Sequence, residues 1–127
     1  MKIILVDAIR TFIIKGEGIF EDMYKMLEEY PNRKIILTSA NDEQSEKFGL
    51  KDMPYEIFTL KHNPEKEDPE YYKTMLNHFN LGANDVIYFE HKETALKSAQ
   101  SVGINSFHYD KDKKDLVSLK KFIDKNM

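Results

Sequence analysis

The residues Ile3-Ile4-Leu5-Val6 form an unbroken apolar run that ends on a carboxylate, Asp7. A short run of this kind is the pattern of a strand covered on both faces, as in the middle of a parallel sheet. Burying a carboxylate inside such a strand would be costly. Asp7 is therefore expected at the strand's C-terminal end, where the chain leaves the sheet. In open α/β sheets that edge is where ligands bind.

The rest of the chain repeats the motif. Lys34 to Ser39 reads as a second apolar strand, ending in the hydroxyls of Thr38 and Ser39. Tyr55 to Leu60 alternates as an edge strand does. Val86 to Phe89 is a fourth strand that meets Glu90, and Ile104 to Tyr109 a fifth. Helical patterns lie between them. Ile19, Phe20, Met23, Met26, Leu27 and Tyr30 make one apolar stripe, stopped by Pro31-Asn32. Ala40 to Phe48 reads as a short polar helix with Gly49 as its cap. Asp68-Pro69 starts a helix that Gly82 ends. Glu93 to Val102 is closed by Gly103, and Leu116, Leu119, Phe122 and Ile123 mark a final helix. The segment Ala8 to Gly18 exceeds the roughly 2–6 residues usual between strand and helix. Phe12-Ile13-Ile14 fits one arm of a hairpin turning at Gly16-Glu17-Gly18. Alternation of this kind predicts one α/β domain over residues 1–127, a three-layer sandwich around a mostly parallel five-stranded sheet. The aromatic residues Phe58, Tyr72, Phe79, Phe89 and Phe122 fall on core-facing positions.

Composition narrows the function classes. A net charge of −3 over 127 residues argues against a surface built to coat nucleic acid. The absence of cysteine excludes disulfides, thiolate metal sites and thiol catalysis. The opening apolar run is too short for a signal peptide. No run has the length of a transmembrane helix, so a cytoplasmic protein with no membrane partner is expected.

Asp7, Thr38 with Ser39, Lys66 and Glu90 all stand at strand ends or helix starts, and a parallel sheet would bring them to one edge. They combine an acid able to attack, hydroxyls and a lysine able to hold an anion, and a second acid. Two carboxylates beside an oxyanion suit Mg²⁺. Each residue also has a plain reading. Thr38 can end a strand, Lys66 can be a surface lysine, Glu90 can cap the next helix, Arg10 can be a solvated loop charge, and His91 reads as a plain loop histidine.

Taken in order, these motifs resemble the haloacid dehalogenase-like (HAD) superfamily over nearly the whole chain. Asp7-Ala8-Ile9-Arg10-Thr11 matches the first motif, and Ile35-Ile36-Leu37-Thr38 the second. Lys66-Glu67-Asp68-Pro69-Glu70-Tyr71-Tyr72 resembles the third. Val86 to His91, with Ala99 to Ile104 behind it, resembles the fourth. The long loop after the first strand matches the family's squiggle and flap. The resemblance implies a Rossmann-like phosphohydrolase. In it Asp7 would be the nucleophile, Thr38 and Lys66 would hold the phosphoryl group, and Asp7, the Ile9 carbonyl and Glu90 would hold Mg²⁺; Ser39 and Arg10 are further substrate-binding candidates by their place in the chain. The departures are equally specific. Ile9 replaces the usual second aspartate, the general acid/base, whose loss typically costs about 10²–10⁴-fold in rate. Glu90 stands for an aspartate, His91 for a second acid and Ala95 for an asparagine, and a cationic His91 would oppose a metal. No segment has room for a cap domain, which implies an open site suited to a phosphorylated small molecule or macromolecule and compatible with a homodimer. Two functions follow from the resemblance: a slow phosphohydrolase, or a degenerate domain that binds a phosphorylated ligand or protein partner without turnover. A phospho-receiver domain is excluded, because it needs two acids after the first strand and an aspartate after the third.

Overall fold

The computed structural model describes residues 1–127. The chain runs β1 (Ile3–Asp7), a hairpin of β2 (Ile13–Ile14) and β3 (Gly18–Ile19), α1 (Glu21–Leu27), β4 (Lys34–Thr38), α2 (Asp42–Lys47), β5 (Glu56–Thr59), α3 (Pro69–His78), β6 (Val86–Glu90), α4 (Glu93–Ser101), β7 (Asn105–His108) and α5 (Leu116–Lys125). Five strands form one sheet in the order β5-β4-β1-β6-β7. Every neighbouring pair in it is parallel. The apolar opening run is its middle strand, and the alternating Glu56–Thr59 strand lies at an edge.

Successive strand residues face opposite sides of a sheet, and here they feed two cores. Ile4, Val6, Ile36, Ile87 and Phe89 pack with Met23 and Leu27 of α1 and Leu119 and Ile123 of α5. Leu5, Ile35, Leu37 and Tyr88 pack with Tyr72, Met75 and Leu76 of α3 and Ala99 of α4. The three-layer sandwich follows. The same two-residue period sets the chemistry: Asp7 shares the side of Leu5, and Glu90 the side of Tyr88. Both acids therefore project toward the α3–α4 layer.

Several boundaries differ from the sequence reading for local reasons. The first helix begins at Glu21, because Ile19 pairs with Ile13 in the hairpin instead of joining the helical stripe. Helix α3 stops before Gly82: Asn80 takes the left-handed turn at φ 55°, while Gly82 sits at φ −92°. Asparagine is among the few non-glycine residues that adopt this region readily. The start of α3 is as expected, with the Asp68 carboxylate accepting from the Glu70 N–H at 3.0 Å and proline in the first turn. Helix α2 is shorter than the expected Ala40–Phe48 span because Asn41 caps it, paired reciprocally with Gln44. No helix is long and apolar enough to cross a membrane.

Candidate active site

The three central strands end side by side on Thr38, Asp7 and Glu90. The chain passes from β1 outward to β5 and then returns to β6 on the other side of β1. The strand order thus reverses beside Asp7, the position at which open sheets bind ligands. Lys66 arrives from the loop between β5 and α3. The Ser39 hydroxyl accepts the Lys66 backbone N–H at 3.1 Å and so fixes that loop. The four features expected at one edge do meet there, around a cavity of about 590 Å³ whose lining includes Asp7, Thr38, Ser39, Lys66, Glu90 and His91.

The carboxylates are deeply buried, Asp7 at 1% exposure and Glu90 at 0%. Two cations bridge them. The Lys66 ammonium lies 2.6 Å from Asp7 Oδ1 and 2.7 Å from Glu90 Oε1. The His91 imidazole nitrogen Nδ1 bonds Asp7 Oδ2 and stands 3.2 Å from Glu90 Oε2. Asp7 Oδ2 also accepts from the Thr11 hydroxyl at 2.7 Å and the His91 backbone N–H at 3.2 Å. Glu90 accepts from the Tyr88 hydroxyl at 2.6 Å and the Lys92 backbone N–H at 3.1 Å. No buried side-chain nitrogen or oxygen in the protein lacks a partner. Two acids and two bases make a closed, charge-balanced quartet, which is the condition for burying such groups.

Burial alone would push the Asp7 carboxyl up. The adjacent Lys66 ammonium and the His91 hydrogen bond outweigh it and hold the carboxyl well below the usual range. Asp7 is thus ionised at any physiological pH. Burial likewise opposes charge on Lys66, yet Asp7 and Glu90 keep its pKa well above the ordinary lysine value. Burial opposes charge on His91 too, but hydrogen bonds to Asp7 and Glu90 raise its pKa from 6.5 to about 9. A measurable consequence follows for stability. The folded imidazole keeps its proton until about pH 9, while the unfolded one releases it near 6.5. Stabilisation by His91 is complete below the lower value and is lost as pH rises through the upper one. Urea unfolding followed upward from about pH 6 is expected to reveal a loss of about 2 kcal/mol, after allowance for the imidazole's partial exposure, that is missing in His91→Gln.

The structure also shows what the sequence reading passed over. His91 is part of the quartet, not a plain loop histidine; it directly follows the strand that delivers Glu90. Thr11 orients Asp7 from within the first motif. Tyr88 holds Glu90 because the two are i and i+2 on one strand face, and Tyr71 fastens the end of β4 by donating to the Thr38 carbonyl at 2.7 Å. The Thr38 hydroxyl accepts the Ala40 N–H at 3.1 Å at the cavity wall. Arg10 lines the cavity with its backbone in the left-handed region at φ 71°, and Ile9 lines it beside Asp7.

Asp7, Glu90 and His91 place three ligand atoms within 4.8 Å of one another, a spacing that could hold a metal ion. An all-oxygen magnesium set on Asp7, the Ile9 carbonyl and Glu90 does not fit the arrangement as it stands. The gap between the carboxylates is taken on one side by Lys66 and on the other by the His91 imidazole, and no carboxylate oxygen lacks a partner. Magnesium prefers oxygen donors, and a ring nitrogen in that gap is a poor substitute.

No protein-family model and no curated protein matches the sequence. Solved structures match by fold. A HAD family enzyme from Bacteroides thetaiotaomicron, a mutant solved with magnesium and inorganic phosphate, superposes with a TM-score of 0.64 at 15% identity, over 85% of this chain and 93% of that one. The core domain of a protein assigned as a phosphoglycolate phosphatase from Streptococcus pneumoniae gives 0.55 at 17% identity, over 85% and 79%. A hydrolase from the same organism gives 0.59 at 15% identity, over 82% of this chain and 55% of that one. The chain therefore has the HAD-like fold, as its ordered motifs imply.

Proposed function

We propose that this protein is a slow phosphohydrolase working through Asp7. The observation that carries the reading is the Asp7 carboxyl group, 2.6 Å from the Lys66 ammonium, on the wall of an open cavity at the sheet's switch point. The HAD-like fold, shared with phosphatases and hydrolases, supports the reaction class.

In this reading a phosphate monoester, carried by a small molecule or a larger one, enters the cavity with its phosphoryl oxygens toward Lys66, Thr38 and Arg10. An oxygen of Asp7 attacks phosphorus, and the bond to the ester oxygen breaks. That oxygen leaves with the electron pair and takes a proton from water, because Ile9 carries none. A second water attacks the aspartyl-phosphate, releases inorganic phosphate and returns Asp7 to its carboxylate. Lys66 offsets the charge that builds on the phosphoryl group. Magnesium, which the resemblance implies, has no step here, since the groups that would hold it are already bridged.

One observation favours a second reading. Both Asp7 oxygens are engaged, by Lys66 on one side and by Thr11 and His91 on the other, and a carboxylate so held is a weak nucleophile. That arrangement suits a domain that binds a phosphorylated ligand without turnover.

Hydrolysis of an aryl phosphate separates the two, because an aryl leaving group needs little help from a general acid. The native protein is expected to turn it over slowly, with chelator or with Mg²⁺ present, and Asp7→Asn to fall to the uncatalysed rate. Equal rates for the two proteins overturn the hydrolase reading. Phosphate binding retained in ³¹P spectra would then support the binding one.

A further inference from the structure

We infer that His91 is a built-in substitute for a divalent cation: its ring occupies the place between Asp7 and Glu90, so the site takes phosphoryl groups without a metal and excludes Mg²⁺. The geometry carries this. Two buried carboxylates flank a gap, and the ring nitrogen lies within hydrogen-bond reach of both, bonded to Asp7 Oδ2 and 3.2 Å from Glu90 Oε2. On the opposite oxygens Lys66 makes the matching bridge, at 2.6 and 2.7 Å.

The ring is held in that place from several directions. Its own backbone N–H donates to Asp7 Oδ2 at 3.2 Å, and the Thr11 hydroxyl lies 3.2 Å from Nδ1. On the far side, the His108 ring nitrogen bonds the His91 carbonyl at 3.0 Å, which ties the residue to the end of β7. The backbone of His91 is therefore fixed at the cavity wall, and its ring meets Asp7, Glu90 and Thr11. An entering Mg²⁺ would have to break the Asp7 and Glu90 contacts together and would meet Lys66 besides. Like charges at such distances repel strongly when water is scarce. The cavity wall carries the cations Arg10, Lys92 and Lys111 and the acids Glu65 and Glu67, with Lys92 paired to Glu67 at 3.1 Å, which leaves Arg10 beside Asp7 as a cation able to meet a phosphoryl group.

The inference deepens the phosphoryl-site reading and rests on it only for the identity of the ligand. Its test contains no substrate, so it fails independently of turnover. Calorimetric titration of Mg²⁺ into the native protein is expected to show no saturable binding. His91→Ala, which vacates the gap, and His91→Asp, which also adds a ligand, are expected to bind Mg²⁺, the aspartate variant at least about 10²-fold more tightly than the native chain. Adding Asp7→Asn to His91→Asp should abolish that gain. Native binding of Mg²⁺ as tight as that of His91→Ala overturns the inference. So does absence of any gain in a variant shown by its thermal melt to be folded; if His91→Asp does not fold, His91→Ala decides. Saturable Zn²⁺ binding by the native protein that His91→Ala loses also overturns it, because the imidazole would then be a ligand and not an occupant. The functional counterpart is a ³¹P titration of inorganic phosphate, expected to be unchanged by chelator.

Discussion

Lys66→Met is expected to destabilise the protein by about 3–5 kcal/mol, the usual result of removing one partner from a buried ion pair. The lysine bridges Asp7 and Glu90 on the side away from His91, and both acids are almost wholly shielded from water. Without it, two carboxylates are left sharing one imidazolium, and their repulsion is scarcely screened. Methionine keeps most of the apolar stem, so little of the loss reflects a cavity. At an ordinary urea slope the midpoint should fall by about 2 M. Combining Lys66→Met with Asp7→Asn should recover part of the loss, because one uncompensated charge disappears, and the double variant will then be more stable than the sum of the single effects. The pH dependence has a defined sign. In the native protein the Asp7 carboxyl lies below its ordinary value of 3.8, so its contribution is present above that pH and fades as pH falls through the folded value. In Lys66→Met the Asp7 carboxyl loses the ammonium that lowers it, and the gap between the two proteins narrows on acidification. A loss below about 1 kcal/mol would mean that the lysine bridge contributes no more than an exposed ion pair.

Ile9→Asp is expected to raise hydrolysis by about 10²–10⁴-fold, the contribution typical of a positioned general acid. Ile9 lies two residues after Asp7, lines the cavity and packs partly against the α1–α5 core. A carboxyl there can protonate the departing oxygen and then take the proton of the attacking water. The gain should be largest for alkyl phosphates, whose leaving groups need the proton, and small for aryl phosphates. The ratio of kcat/KM between the two substrate types is therefore the decisive readout, and Asp7→Asn in the same background should erase it. Losing the isoleucine's apolar contacts costs about 1–2 kcal/mol, which a melting curve will show separately. If neither substrate responds, the site lacks more than its proton donor, and ligand binding becomes its function.

Much of this architecture is legible from short runs of residues. The pattern Ile3 to Asp7 announces a strand buried on both faces with an acid at its end, and that is β1, the middle of the sheet. Thr38, Lys66 and Glu90 could be placed at the same edge because parallel strands all finish on one side. What the pattern along the chain does not show depends on which residues pair in the fold. Ile19 fits the helical stripe but is claimed by Ile13, six residues earlier, through hairpin pairing. Lys66 reads as a phosphate holder, and only its position shows that it also bridges two acids from different strands. His91 stands out in the sequence only as a departure in the fourth motif, and its bond to Asp7 is set by the fold.

The sequence by itself determined the strand and helix order, the layered sheet and the meeting of Asp7, Thr38, Lys66 and Glu90, because periodicity and strand polarity are local properties that survive into the fold. Only the tertiary structure decided what those groups do to one another. Charge balance in a buried site depends on distances of a few ångströms between residues up to 84 positions apart, and no pattern along the chain encodes them. That is why the sequence could place the two acids at one edge, whereas only the folded protein shows the His91 imidazole and the Lys66 ammonium beside both of them.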